Sequence, residues 1–111
     1  MAYDEELAHR VRAAIGIHPA LREKAMFGGL GFMAHGNMAV AVSGQGGLMV
    51  RVDPADAERL VDGAAVTRME MGGRAMDGWL RVTTESVDDD AALQQWVDRG
   101  LTRAAALPPK R

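Results

Sequence analysis

The chain has 111 residues and a formal net charge of −2, with 48% hydrophobic and 25% charged residues, eight methionines and no cysteine. A chain of this length supports one compact core rather than two, so a single domain over residues 1–111 is expected. The missing cysteine excludes a disulfide framework, a thiolate metal site and a cysteine nucleophile, and the mild acidity argues against a general polyanion binder.

Asp4, Glu5 and Glu6 place negative charge where a helix N-terminus favours it. Leu7, Val11, Ala14 and Ile15 then recur at helical spacing before Gly16. A first helix with one apolar face is predicted, followed by a loop through His18-Pro19. From Gly28 to Gly47 the chain is rich in glycine, and apolar residues alternate. Leu30/Phe32/Ala34, Met38/Val40/Val42 and Leu48/Val50/Val52 each keep one face at period two, which predicts three strands. The turn signals His35-Gly36-Asn37 and Gly44-Gln45-Gly46-Gly47 join them as an antiparallel meander.

Asp53-Pro54 combines an N-cap carboxylate with proline at the first helical position, opening a short helix that turns Leu60 and Val61 inward before Gly63. Two more strands are predicted near Val66–Met71 and Gly78–Thr83, joined around Gly72-Gly73. A last helix, capped by Ser86 or Asp88, buries a stripe of Leu93, Trp96, Val97, Leu101, Ala104 and Ala105 and stops at Pro108-Pro109. The order α-βββ-α-ββ-α, with antiparallel hairpins, gives a two-layer α+β domain with the helices on one face of the sheet.

The N-terminus is acidic and lacks the apolar core of a signal peptide, and no apolar run approaches the ~20 residues of a membrane span. A cytoplasmic protein with no membrane association is expected. His9, His18 and His35 have no second ligand at metal-site spacing, and Asp88-Asp89-Asp90 reads as helix-dipole compensation rather than a cation loop. The glycines at 28, 29, 31 and 36 lack the spacing and the following helix of a phosphate-binding loop, and read as bulges or close-packed turns. Ser43 and Ser86 lie outside any nucleophile motif. No catalytic residue, metal or cofactor is expected.

Two surfaces carry a functional reading. Arg99 and Arg103, four apart on the last helix, with Lys110 and Arg111 beyond, form either a basic stripe for a phosphate backbone or charge that suits a helix C-terminus. The second is the far side of the sheet. If Leu30, Phe32, Val40, Val42, Val50, Val52, Leu80 and Val82 face the helices, alternation sends Met33, Ala39, Ala41, Met49, Arg51, Trp79 and Arg81 the other way. In a two-layer domain that face has no helix over it. Met, Trp and Arg are types enriched at interfaces, so it is a candidate interaction face, with loop-covered packing as the alternative.

Lys24-Ala25-Met26-Phe27-Gly28-Gly29-Leu30-Gly31-Phe32 with Gly36, then Leu48-Met49-Val50-Arg51-Val52, resemble the N-terminal domain of the TfoX/Sxy family. Gly73-Arg74-Ala75-Met76-Asp77-Gly78-Trp79 and the closing Leu107-Pro108-Pro109-Lys110 are similar to its stand-alone members. The positions matching the motifs are Met26, Phe27, Gly28, Gly29, Phe32, Arg51, Arg74, Met76, Gly78 and Trp79. The resemblance implies an α+β domain similar to the secretion-chaperone-like fold, without the helical second module of full-length members. Those members regulate bacterial natural competence together with the cyclic-AMP receptor protein. The resemblance brings no catalytic residues and no cofactor.

The expected function is a non-enzymatic regulatory or protein-interaction domain that binds a protein partner or a second copy of itself as a homodimer. The alternative is a nucleic-acid accessory protein acting through Arg99, Arg103, Lys110 and Arg111. A third reading places a small ligand in the glycine-rich hairpin region.

Overall fold

Asp4 opens the first helix, α1 (Glu5–Ile15), by accepting a hydrogen bond from the Leu7 amide at 3.0 Å, which pairs one of the donors a helix start leaves free. The computed structural model describes residues 3–26, 28–71 and 73–108. After α1 come β1 (Leu21–Met26), β2 (Gly29–Ala34), β3 (Asn37–Val42), β4 (Leu48–Arg51), α2 (Pro54–Leu60), β5 (Val66–Met71), β6 (Arg74–Val82), a 3₁₀ turn (Thr84–Val87) and α3 (Asp90–Ala106). The strands form one sheet in the order β1-β2-β3-β4-β6-β5, every neighbouring pair antiparallel. The α+β class and the succession of the predicted elements are as expected, and β1 adds an edge strand where the sequence pattern suggested only loop.

Helix-side packing follows the predicted alternation. Phe32, Val40, Val42, Val50, Val52, Leu80 and Val82 are buried in one cluster with Leu7 and Val11 of α1, Ala57 of α2, and Leu93, Trp96 and Val97 of α3. All three helices therefore lie on the same face of the sheet. Burying a leucine, valine or phenylalanine of this kind stabilises by about 1.5–3 kcal/mol.

Three local expectations need correction. Phe32 pairs with Val40 but Met33 pairs with Met38, so Ala39 is the extra residue of a β-bulge. The bulge turns Met38 out beside Met33. It brings Ala39, expected on the outer face, inward against Ala34 and Ala104 at 0% exposure. The cap of α3 is Asp89, whose carboxylate accepts from the Ala92 amide at 3.0 Å. Ser86 lies in the 3₁₀ turn, and Asp88 precedes the cap. Ala105 is exposed, whereas Gly100 is buried in the α3 stripe. In α2 the expectation holds: Leu60 and Val61 pack half-buried against the core, and Ala57 is fully buried beside them.

Gly100 explains how α3 meets the bulge. A Cβ at this position would lie 2.5 Å from the Ala39 carbonyl oxygen and 2.7 Å from Val40 Cγ1, so only glycine allows the helix this close. The Asn37 side-chain amide, 2% exposed, donates to the carbonyls of Ala104 at 3.4 Å and Pro108 at 2.9 Å. The Ala104 carbonyl also accepts from the Leu107 amide, so Asn37 ties the last turn of α3 and Pro108 just beyond it to β3.

Candidate interaction face

On the outer side of the sheet the cations lie across from methionine, tryptophan, threonine or glycine, and Met33 pairs with Met38. Arg22 of β1 lies opposite Met33, and Lys24 opposite Gly31. Met49 of β4 pairs with Ala41 on one side and Arg81 on the other, and Arg51 pairs with Trp79. Met38 joins this surface through the bulge, and Thr67 of β5 pairs with Arg81. Met33, Met49, Arg51, Trp79 and Arg81, the predicted interaction residues, thus share one face, and all five are half-buried. The two residues the sequence missed there, Arg22 and Lys24, lie on the unpredicted β1, and Met38 was assigned to the opposite side.

Large apolar groups on this face stand outside the core. Met33, Met38, Met49 and Trp79 belong to neither buried cluster, nor to the half-buried residues packed against the clusters. Arg51 caps this surface by stacking over the Trp79 ring, its guanidinium carbon 5.1 Å from the centroid. Burial pushes the Arg51 pKa below its ordinary value, and the positive charge of Arg103 adds to the push. Arg81 is held at the β3–β4 turn, donating to Gln45 Oε1 at 3.0 Å and to the Gly46 carbonyl at 3.2 Å. Both acceptors are neutral, and no carboxylate among the described residues forms an ion pair with Arg81.

Charge is segregated by face. Among the described residues the ion pairs are Arg10–Asp90, Arg12–Glu23, Arg59–Asp56, Arg68–Glu58 and Arg103–Asp53, and each includes a residue of a helix or of its cap. Arg22, Lys24, Arg51 and Arg81 take part in none of them. Glu23 points to the helix side, where Arg12 donates from Nε at 2.6 Å and from Nη2 at 2.7 Å. This bidentate pair holds the Glu23 carboxyl below its usual range.

The α3 arginines sit in a different setting. Arg99 stacks on Trp96 at 4.6 Å, and Arg103 lies 3.7 Å from Asp53. Both line a groove of about 480 Å³ between α2 and α3, together with Arg59, Asp53, Asp56 and Asp98. The groove is mixed in charge rather than basic, and Lys110 and Arg111 lie outside the described residues. His18 and His35 approach edge to face at 6.0 Å. No cluster of three or more His, Asp or Glu suited to a metal occurs among the described residues.

The motif glycines shape the backbone. A Cβ on Gly44 would meet the Gly28 carbonyl oxygen at 2.6 Å, and one on Gly29 would overlap the Val42 carbonyl oxygen, so the glycine-rich hairpins pack backbone against backbone. Gly78 has φ +79° where the Val52 amide donates to its carbonyl at 2.8 Å. Phe32 is in the core, Arg74 opens β6 exposed, and Met76 is half-buried. Met26 closes β1, and Phe27 lies outside the described residues. No helix of the described chain is long and apolar enough to cross a membrane.

No curated protein and no solved structure shows a significant match to the chain. The model of the TfoX N-terminal domain matches residues 13–104, which takes in all six strands, α2 and most of α3. On that match over most of its length, the chain belongs to the TfoX N-terminal domain family.

Proposed function

We propose that this protein is a non-enzymatic, cytoplasmic interaction domain whose open sheet face docks a protein partner in a regulatory setting. The observation that carries the reading is the exclusion of Met33, Met38, Met49 and Trp79 from both core clusters while every helix packs on the other side. Methionine is flexible and polarisable, so a methionine-rich face accommodates a partner without a rigid pocket of its own. Tryptophan and arginine supply the anchoring types that dominate binding energy at interfaces.

A photo-crosslinking residue placed at Met49, and separately at Thr102 on the exposed side of α3, tests this in cells. Position 49 is expected to yield a protease-sensitive adduct of defined mass, and position 102 none. The absence of any adduct from position 49 would refute the docking reading. A nuclease-sensitive adduct from position 102 would replace it with nucleic-acid binding through α3.

A further inference from the structure

We infer that the open sheet face is a docking site for an acidic amphipathic helix of a partner protein. This rests on the docking reading above and commits it to one occupant. The argument starts from position across the sheet. Arg22 and Lys24 stand on β1, Arg51 on β4 and Arg81 on β6, with Met33, Met38 and Met49 on the strands between them or beside Arg51. At about 4.8 Å per strand the two basic rims are separated by roughly 14–19 Å. An α-helix with its side chains is about 10–12 Å across, so one helix rests on the methionine ridge with a shoulder toward each rim. The six-residue strands β2 and β3 offer about 20 Å of length, which matches roughly 13 helical residues at 1.5 Å each.

Charge then selects the partner. The regularly paired outer positions of β1–β4, with Trp79 and Arg81 on β6, carry four cations and no carboxylate, although the chain as a whole is net −2. Glu70 and Asp77 belong to the irregular stretch of β5 and β6 beyond them. Glutamates on both shoulders of the incoming helix meet Arg22 and Lys24 on one side and Arg51 and Arg81 on the other. A second copy docked face to face sets cations against cations around its methionines, and that like-charge contact costs free energy where an acidic partner gains it. A single-stranded nucleic acid needs open ring faces for its bases. Here the one aromatic on these paired positions, Trp79, already has Arg51 over its ring.

The test uses the full chain and a labelled synthetic peptide of about 14 residues, helix-forming, with leucine along one stripe and glutamate on both shoulders, followed by fluorescence anisotropy. Saturable binding is expected at low salt, weakening several-fold as salt screens the rims from about 0.05 to 0.5 M. The double variant Arg51→Met/Arg81→Gln, checked for native circular dichroism, is expected to bind at least about tenfold more weakly. The same peptide with lysine shoulders, or with its leucine stripe scrambled, is expected not to bind. No binding of the glutamate peptide, equal binding of the lysine peptide, or tighter binding of an oligothymidylate of similar length would each overturn the inference. If the double variant fails to fold, the salt series and the peptide comparison on the unaltered chain decide alone. A crosslink from Met49 to a protein without an acidic helix, or to a second copy, would remove the acidic helix and leave the docking reading standing. No crosslink from Met49 removes both.

Discussion

Replacing Gly100 with alanine sets two effects of known size against each other. In a helix interior alanine is favoured over glycine by about 1 kcal/mol, so local propensity predicts a more stable protein. Gly100 sits in the middle of α3, a helix of 17 residues, where that gain applies in full. The new methyl group, however, would lie 2.5 Å from the Ala39 carbonyl oxygen, 2.7 Å from Val40 Cγ1 and 3.0 Å from the Ala39 carbonyl carbon, against ordinary contacts of 3.4–4 Å. Two of those atoms are backbone inside a β-bulge, and the third belongs to a buried β-branched side chain with few rotamers. Neither can step aside, so α3 must move outward by most of an ångström over β3. Overpacking of this kind costs about 1–3 kcal/mol, and a contact fixed on both sides belongs near the top of that range. The net effect is a loss of about 2 kcal/mol. With an unfolding entropy of about 2.1 cal/mol/K per residue, a loss of that size lowers Tm by roughly 9 °C. Thermal and urea unfolding of Gly100→Ala measure it. Thr102→Ala, exposed on the same helix, calibrates the propensity and is expected to raise stability by about 0.5 kcal/mol. A Gly100→Ala protein as stable as the parent, or more stable, would show that α3 does not approach the bulge this closely.

Asn37→Leu removes the donors to the Ala104 and Pro108 carbonyls, and is expected to cost about 1–3 kcal/mol, with faster amide exchange in the last turn of α3. The folded-state carboxyl of Glu23 is held below its ordinary value of ~4.3 by Arg12, so its stabilisation is complete above that value and is lost as pH falls toward the lower, folded value. Glu23→Gln should therefore flatten the acid side of a urea-midpoint-versus-pH curve and leave it unchanged in shape near neutrality. Asp62, lowered by its hydrogen bonds from the Val66 and Ala64 amides, adds to the acid sensitivity in the same direction, and Asp62→Asn tests it in the same titration. Arg51→Met keeps the bulk over Trp79 while removing a half-buried charge, and is expected to change stability by less than about 1 kcal/mol. A larger loss would make Arg51 a support of the fold rather than of recognition.

Core and face were legible in the sequence wherever alternation was strict. The valines of β3 and β4, and Leu80 and Val82 of β6, assign one side. Met49, Arg51, Trp79 and Arg81 then fall on the other by parity alone. β1 was not legible because Arg22, Glu23 and Lys24 run three charges together, so no apolar period marks the strand. That is what an edge strand is expected to carry, since charge there discourages pairing with other chains. The cost to the functional reading was half of the basic rim. The bulge at Ala39 was hidden for the opposite reason: Met38, Val40 and Val42 already made an acceptable period-two strand, and only the pairing with Met33 reveals the extra residue. Among Asp88, Asp89 and Asp90 composition cannot choose a cap. Packing does, by burying Val87 and Leu93 on either side of Asp89.

Stability alone gives no reason for the composition of the open face. A sheet gains from opposite charges placed across strands, and this chain has carboxylates enough to provide them. Instead each cation there sits opposite a methionine, a tryptophan, a threonine or a glycine, so the long Arg and Lys stems can shield apolar surface, with the Arg51 guanidinium stacked on Trp79 and the Arg81 guanidinium bonded to the β3–β4 turn. That arrangement keeps a half-buried apolar patch hydrated in the free protein, and like charge opposes its pairing with an identical face. Among the described residues it leaves these cations without carboxylate partners, while burial lowers the pKa of Arg51. Acidic groups arriving on an apolar ridge would relieve both conditions at once, covering the methionines and neutralising the rims. The same asymmetry that disfavours a second copy on this face therefore favours an acidic partner.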